Sequence, residues 1–186
     1  MIDISVKDYL SLPEIKRVQY EGVLKHLNPA NALAGQSINA QAITYGTVKR
    51  CLRLIQKGKT AEDLERLYCL AFGIDPEAFY TAKVSEFFAA QNFVLNYFVN
   101  LQNKEAALLQ SIDTDAALWE AAGGAKLNRF GPIMPLVQLG EIYGVWPFDL
   151  ETRPYQEVLT LLAIHKERAE VSREYQRIKQ SHAGHR

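Results

Sequence analysis

Cysteine is scarce in this chain of 186 residues, and a net charge is absent. The two cysteines, Cys51 and Cys69, fall in apolar surroundings within predicted helices, which argues against a disulfide framework and favours a reducing compartment. Two cysteines and four scattered histidines lack the spacing of a structural zinc site, so no metal is expected. Lys plus Arg and Asp plus Glu each number 21. That balance argues against a protein that binds nucleic acid or is held on an anionic membrane.

Long apolar runs are also missing. The most apolar stretch, Val84–Leu101, is interrupted by one glutamate and four Asn or Gln residues, so it does not fit a membrane span. The N-terminal MIDISVKDYL has neither the basic nor the apolar region of a secretory signal. We therefore expect a cytoplasmic protein with no membrane partner.

Motifs that carry catalysis are not found either. Gly123-Gly-Ala-Lys126 places a lysine after two glycines, but the spacing is not that of a phosphate-binding loop. His165 falls on the apolar face of the last predicted helix, where a histidine of the core or of an interface is the favoured interpretation. No nucleophile or carboxylate partner for it is indicated. The sequence therefore predicts no enzyme and no cofactor.

Helix signals dominate the first part of the chain. Capping-box patterns begin at Ser5, Ser11 and Thr60, and Asp75-Pro76 is a further helix start. The predicted helices run over residues 5–12, 14–28, 45–57, 60–73 and 75–110, the last with a candidate break near Ala82. Residues 30–42 are predicted to form a loop, with a short strand near 37–43 as the alternative.

The second part of the chain is predicted to be helical but more interrupted. A short helix from Asp113 or Thr114 to Ala122 is followed by a break at Gly123-Gly124 and an irregular stretch over 127–135. A helix over 136–143, a turn over 144–149 and a last helix from Asp149 or Thr152 complete the chain. We expect an all-α, irregular multi-helix bundle with a long central helix and an extended C-terminal helix. Its parts are residues 1–122 and 123–186, as two domains or one kinked assembly.

Aromatic residues at and just after the predicted turn over 144–149 are the candidates for binding a partner. Trp146, Phe148 and Tyr155 lie at a turn and a helix start, where side chains are often exposed and available for protein contacts. The alternative, given even weight, is that they fasten the last helix to the body. Leu162 and His165, on the apolar face of that helix, complete the predicted set.

Charge is distributed unevenly along the chain. Residues 165–186 hold six Lys or Arg and three Asp or Glu, so the remainder has an excess of acid. The helix end over Lys166–Lys179 is predicted to be a solvated extension or an arm that docks on a partner. Opposite charge at two regions of one chain weakly favours association with other proteins.

The second half of the sequence resembles the tail assembly chaperones of tailed phages. The residues that carry the resemblance are Phe130-Gly-Pro, Leu139, Trp146-Pro-Phe-Asp-Leu-Glu-Thr-Arg-Pro-Tyr155, Val158-Leu-Thr-Leu-Leu and His165-Lys-Glu-Arg-Ala. The preceding segment Lys83–Phe98 is similar to the helical first half of such proteins.

The resemblance implies a non-enzymatic protein of phage morphogenesis. Such a chaperone coats the tape-measure protein while the tail tube polymerises around it, in the host cytoplasm and as an oligomer or multivalent complex. Its implied partners are tape-measure, tail or capsid subunits. The alternative is a structural component of the virion, such as a capsid, connector or internal protein. A second alternative is a cytoplasmic helical enzyme or ligand-binding protein.

Overall fold

The computed structural model describes residues 3–58, 60–110 and 120–183, and over these ranges the chain is helical without any β-strand. The elements in chain order are α1 (Val6–Leu10), α2 (Glu14–Leu24), α3 (Tyr45–Lys57), α4 (Ala61–Phe72), α5 (Pro76–Thr81), α6 (Val84–Leu109), a 3-10 helix (Gly124–Phe130), α7 (Ile133–Tyr143), α8 (Pro147–Glu151) and α9 (Tyr155–Ala183). The predicted all-α class is confirmed. The predicted long central helix is α6, and the predicted extended C-terminal helix is α9.

Local capping chemistry sets several of these boundaries as predicted. The Thr60 hydroxyl accepts a hydrogen bond from the Asp63 amide, while the Asp63 carboxylate accepts one from the Thr60 amide. Asp75 caps α5 by accepting from the Ala78 amide at 2.7 Å. Gly73 ends α4 in the left-handed conformation, with φ of 68°.

The chain divides into two units, residues 1–103 and 104–186, with the division inside α6. This division falls earlier than the predicted one between residues 122 and 123. The predicted short helix from Asp113 or Thr114 lies mostly outside the described residues, because residues 111–119 are not among them.

The first unit has an aromatic core. Rings of α4, α5 and α6 pack against one another, and the Tyr68 and Phe87 centroids are 5.1 Å apart. Phe79 lies between them in sequence and is fully buried, with its centroid 6.0 Å from that of Phe87. Tyr9 of α1 packs edge-on against Phe88 at 5.6 Å. These aromatic residues are packing groups of the core.

The break between α5 and α6 is fixed by the extended segment at the N-terminus. The Val6 amide donates to the Ala82 carbonyl and the Val84 amide donates to the Ile4 carbonyl, both at 2.9 Å. Ala82 has an extended backbone conformation, with ψ of 152°, so the helix cannot continue through it. The predicted break near Ala82 is confirmed.

Two predictions about α2 are wrong. Ser11 does not cap this helix, because its hydroxyl donates to the Lys7 carbonyl of α1 and Pro13 occupies the N-cap position. The helix ends at Leu24 rather than near Asn28. The Asn92 side chain of α6 donates to the Lys25 and Leu27 carbonyls, at 3.2 and 2.9 Å. These bonds supply hydrogen-bond donors to backbone carbonyls that follow the end of the helix.

The predicted loop over residues 30–42 is confirmed. Its shape comes from Asn31, whose side-chain amide donates to the Ile38 carbonyl and whose side-chain oxygen accepts from the Ile38 amide. A tight turn between Leu33 and Gln36 closes it. The alternative of a strand near 37–43 is wrong, since residues 37–43 contain no β-strand.

The second unit packs α7, α8 and α9 around a small apolar core. Its buried members come from all three helices and are Leu136, Leu139, Leu150, Tyr155, Val158, Leu159 and Leu162. The predicted irregular stretch over 127–135 is instead a 3-10 helix followed by the start of α7. Pro135 falls in the first turn of α7, where its missing amide hydrogen costs nothing. The last helix starts at Tyr155, since α8 occupies the residues around Asp149.

None of the helices within the described ranges is long and apolar enough to cross a membrane.

Candidate protein-binding surface

The predicted aromatic pair, Trp146 and Phe148, lies at the turn that joins α7 to α8. Trp146 is the N-cap residue of α8, and Pro147 takes the first helical position, where its fixed φ favours a helix start. The Asp149 amide donates to the Trp146 carbonyl at 2.9 Å. The backbone that carries both rings is therefore held by a proline and a short helix.

Two glycines let this turn form tightly against α7. Gly144 ends α7 with φ of 65°, a conformation that side chains other than glycine rarely adopt. The Val145 amide then folds back to donate to the Gly140 carbonyl. At Gly140 a Cβ atom would lie 2.6 Å from the Val145 carbonyl oxygen and 3.2 Å from the Pro147 ring. Only glycine leaves room for the turn at that position.

The rings that this turn carries face solvent. Trp146 is 65% exposed and Phe148 is 55% exposed, with ring centroids 5.9 Å apart. Within the described ranges no acceptor binds the indole N–H of Trp146, so this donor is open to an external acceptor. Phe130 is also exposed, but the Arg129 guanidinium lies over its ring at 4.7 Å. An uncovered aromatic pair on a rigid turn is typical of a protein-contact site.

The structure separates the other predicted members from this pair. Tyr155, for which the sequence predicts exposure, is only 1% exposed, and its hydroxyl donates to the Glu105 carboxylate at 3.0 Å. This ring is one of the buried members of the core of the second unit. Leu162 is buried as well, about two turns further along α9. Both side chains therefore belong to the core. For Tyr155 this agrees with the alternative interpretation that the aromatic residues fasten the last helix to the body.

His165 lies at the edge of that core and is half-buried. No hydrogen bond or ion pair of His165 occurs within residues 120–183. Its place beside the apolar side of α9 fits a histidine of an interface or a core border. A partner-binding role for it stays a prediction.

The distal half of α9 presents a second apolar surface. The sequence predicts a charged arm in this region but does not single out the apolar residues that the arm exposes. Val171 is 68% exposed and Tyr175 62% exposed, and Ile178 is exposed too. Glu174 and Arg177 form a bidentate ion pair at 2.7 and 2.9 Å, which holds the pKa of Glu174 below its ordinary value. The signal that could have identified this surface is the alternation of four- and three-residue steps between its apolar side chains.

The cysteines show no sign of an activated thiol. Burial raises the pKa of Cys51 to about 12, with Arg50 only partly opposing the rise. Burial also raises the pKa of Cys69, and the carboxylates of Glu65 and Asp75 add to that effect. Both thiols stay protonated at neutral pH, so neither is a nucleophile. Within the described residues no cluster of His, Cys, Asp or Glu could hold a metal ion.

The fold and this surface define an all-α protein that exposes apolar groups in its C-terminal unit. No protein-family model matches the chain, and no curated protein or solved structure is significantly similar to it.

Proposed function

We propose that this protein is a non-enzymatic assembly protein that binds another protein through the Trp146 and Phe148 pair. The observation that carries the proposal is that these two large rings are mostly exposed although the turn beneath them packs closely against α7. A core role would have buried them, as it buries Tyr155 nearby in sequence. Rigid aromatic groups lose little conformational entropy when a partner covers them, so they contribute strongly to binding.

The resemblance to tail assembly chaperones supports a specific partner. We infer that the rings engage the tape-measure protein of a tailed phage in the host cytoplasm, before the tail tube forms around it. A tape-measure protein offers long amphipathic helices, and an apolar helix stripe suits the space beside two exposed rings. The indole N–H of Trp146 supplies a polar contact at the border of that stripe.

Binding of the tape-measure protein encoded in the same genome tests the proposal. We expect the wild-type chain to bind in isothermal titration calorimetry, and the Trp146→Ala/Phe148→Ala double variant to bind at least about 30-fold more weakly. This estimate corresponds to loss of about 2 kcal/mol, the low end for two buried aromatic anchors.

A matched control is available in the first unit. Ile15 is exposed and apolar like the two rings, and Ile15→Ala should leave the affinity unchanged. Equal binding by the double variant would show that the pair is not the site. Mass spectrometry of purified particles separates the chaperone from a structural component of the virion, because only a structural component stays in many copies.

A further inference from the structure

The distal half of α9 has no support from the rest of its unit. Every residue from 171 to 182 is exposed, yet the segment is a continuous helix. In proteins most of a helix's stability comes from the packing of an apolar face. Val171, Tyr175 and Ile178 form such a face, and it is uncovered.

The apolar face has the repeat of a coiled coil. Its apolar members Ile164, Val171, Tyr175 and Ile178 are seven, four and three residues apart, which matches the 3.5-residue average of a left-handed supercoil. The polar residues Arg168 and His182 fill the other two positions of the register. In heptad notation the d positions are Ile164, Val171 and Ile178, and the a positions are Arg168, Tyr175 and His182.

Surface grooves follow the same face. One groove of about 390 Å³ is bordered by Leu108, Ile164, Glu167 and Arg168, among others. A second groove of about 530 Å³ begins at Glu167 and Arg168 and continues to Tyr175. The two grooves share Glu167 and Arg168 and both are open to solvent, so a second helix could lie along this side of α9.

The charges beside the face select the kind of helix that fits. Glu167 and Glu174 occupy g positions, and Ser172 and Lys179 occupy e positions. In a parallel pair of identical helices, g of one chain faces the next e of the other, so Glu174 meets Lys179 twice. An antiparallel pair would instead bring the g-position glutamates of the two chains together. Charge complementarity therefore favours a second copy of this chain in parallel orientation.

We propose that the distal half of α9 mediates self-association as a parallel two-stranded coiled coil. Arg168 is the unfavourable member, since it brings two guanidinium groups into one layer at an a position. A charged a-position residue weakens a coiled coil while restricting its oligomeric state. The association is therefore weak and reversible, and replacing Arg168 by an apolar residue strengthens it.

Sedimentation equilibrium of the full chain over a concentration series tests the proposal. We expect a monomer–dimer equilibrium that Lys179→Glu weakens about tenfold, because two attractive pairs become repulsive. Arg173→Glu is the matched control: it makes the same charge change at an f position, away from the face, and should leave the dissociation constant unchanged. The Glu174→Lys/Lys179→Glu variant should restore association by reversing both charges.

Arg168→Leu provides a test in which dimerisation is expected to become stronger rather than weaker. It should tighten the dimer at least about tenfold, because two facing guanidinium groups give way to an apolar layer, with circular dichroism confirming that helix content is kept. Single cysteines at Val171→Cys and Ile178→Cys should each form an intermolecular disulfide, as like positions meet only in the parallel pair; the wild-type chain controls for Cys51 and Cys69.

Three outcomes would overturn the proposal. These are a chain that stays monomeric even as Arg168→Leu, a dimer that responds equally to Lys179→Glu and Arg173→Glu, and cross-linking at only one of the two cysteine positions.

Discussion

A single methyl group at Gly140 tests how the aromatic turn is held. Gly140→Ala places a Cβ 2.6 Å from the Val145 carbonyl oxygen and 3.2 Å from the Pro147 ring. The first of these is a backbone atom, so relief requires the whole turn to move. Overpacking of this kind costs about 1–3 kcal/mol, whereas alanine in a helix gains about 1 kcal/mol over glycine. Because the clash is with a backbone atom, the cost falls in the upper part of that range, about 2–3 kcal/mol, and we expect a net loss of about 1–2 kcal/mol.

Gly22→Ala is the matched control for that substitution. Gly22 also lies inside a helix, α2, but nothing lies within 4 Å of the position that a Cβ atom would take there. At this site the helix propensity acts alone, so the free energy of unfolding should rise by about 0.5–1 kcal/mol.

Differential scanning calorimetry measures both effects. The Gly140→Ala variant should lower the midpoint of the unit that contains it by about 5–10 °C, while Gly22→Ala should raise the midpoint of the other unit. If Gly140→Ala stabilised the protein as Gly22→Ala does, the close approach of the turn to α7 would be refuted, along with the rigidity assigned to Trp146 and Phe148.

Two further predictions concern buried groups. Tyr155→Phe keeps the ring and removes the hydrogen bond to the half-buried Glu105, so urea unfolding should show a loss of about 1.5 kcal/mol; an unchanged midpoint would mean that the bond contributes nothing. Cys51 should stay unmodified by Ellman's reagent at pH 8 until the chain is unfolded, because burial raises its pKa to about 12. Its ordinary pKa is 9.0, so this residue's contribution to stability should fall as the pH rises from about 9 towards 12; prompt labelling of Cys51 in the native protein would contradict its burial.

The sequence predicts those parts of the fold that local chemistry decides. Thr60 and Asp75 start their helices through hydrogen bonds within three residues, and Gly73 ends one through its own backbone freedom. Such boundaries depend on neighbours along the chain, so local sequence patterns predict them.

Boundaries that depend on distant residues are not contained in local patterns. The end of α2 is set by Asn92, which lies far away in sequence and donates to the carbonyls after the helix. Ser11 has the letters of a capping box, yet its hydroxyl bonds back to α1.

The candidate surface divides in the same way. Exposure of Trp146 and Phe148 follows from a turn whose Pro and Gly residues are visible in the sequence. Burial of Tyr155 follows from contacts with other helices, among them its hydrogen bond to Glu105. No local sequence motif predicts these contacts.

The central claim is that Trp146 and Phe148 bind another protein, and one titration tests it most directly. The wild-type chain and the Trp146→Ala/Phe148→Ala variant are titrated in parallel against the tape-measure protein encoded in the same genome. Saturable binding by the wild type, with an affinity at least about 30-fold higher than that of the variant, is the predicted result. Absence of binding by the wild type, or equal affinity for both chains, would contradict the account.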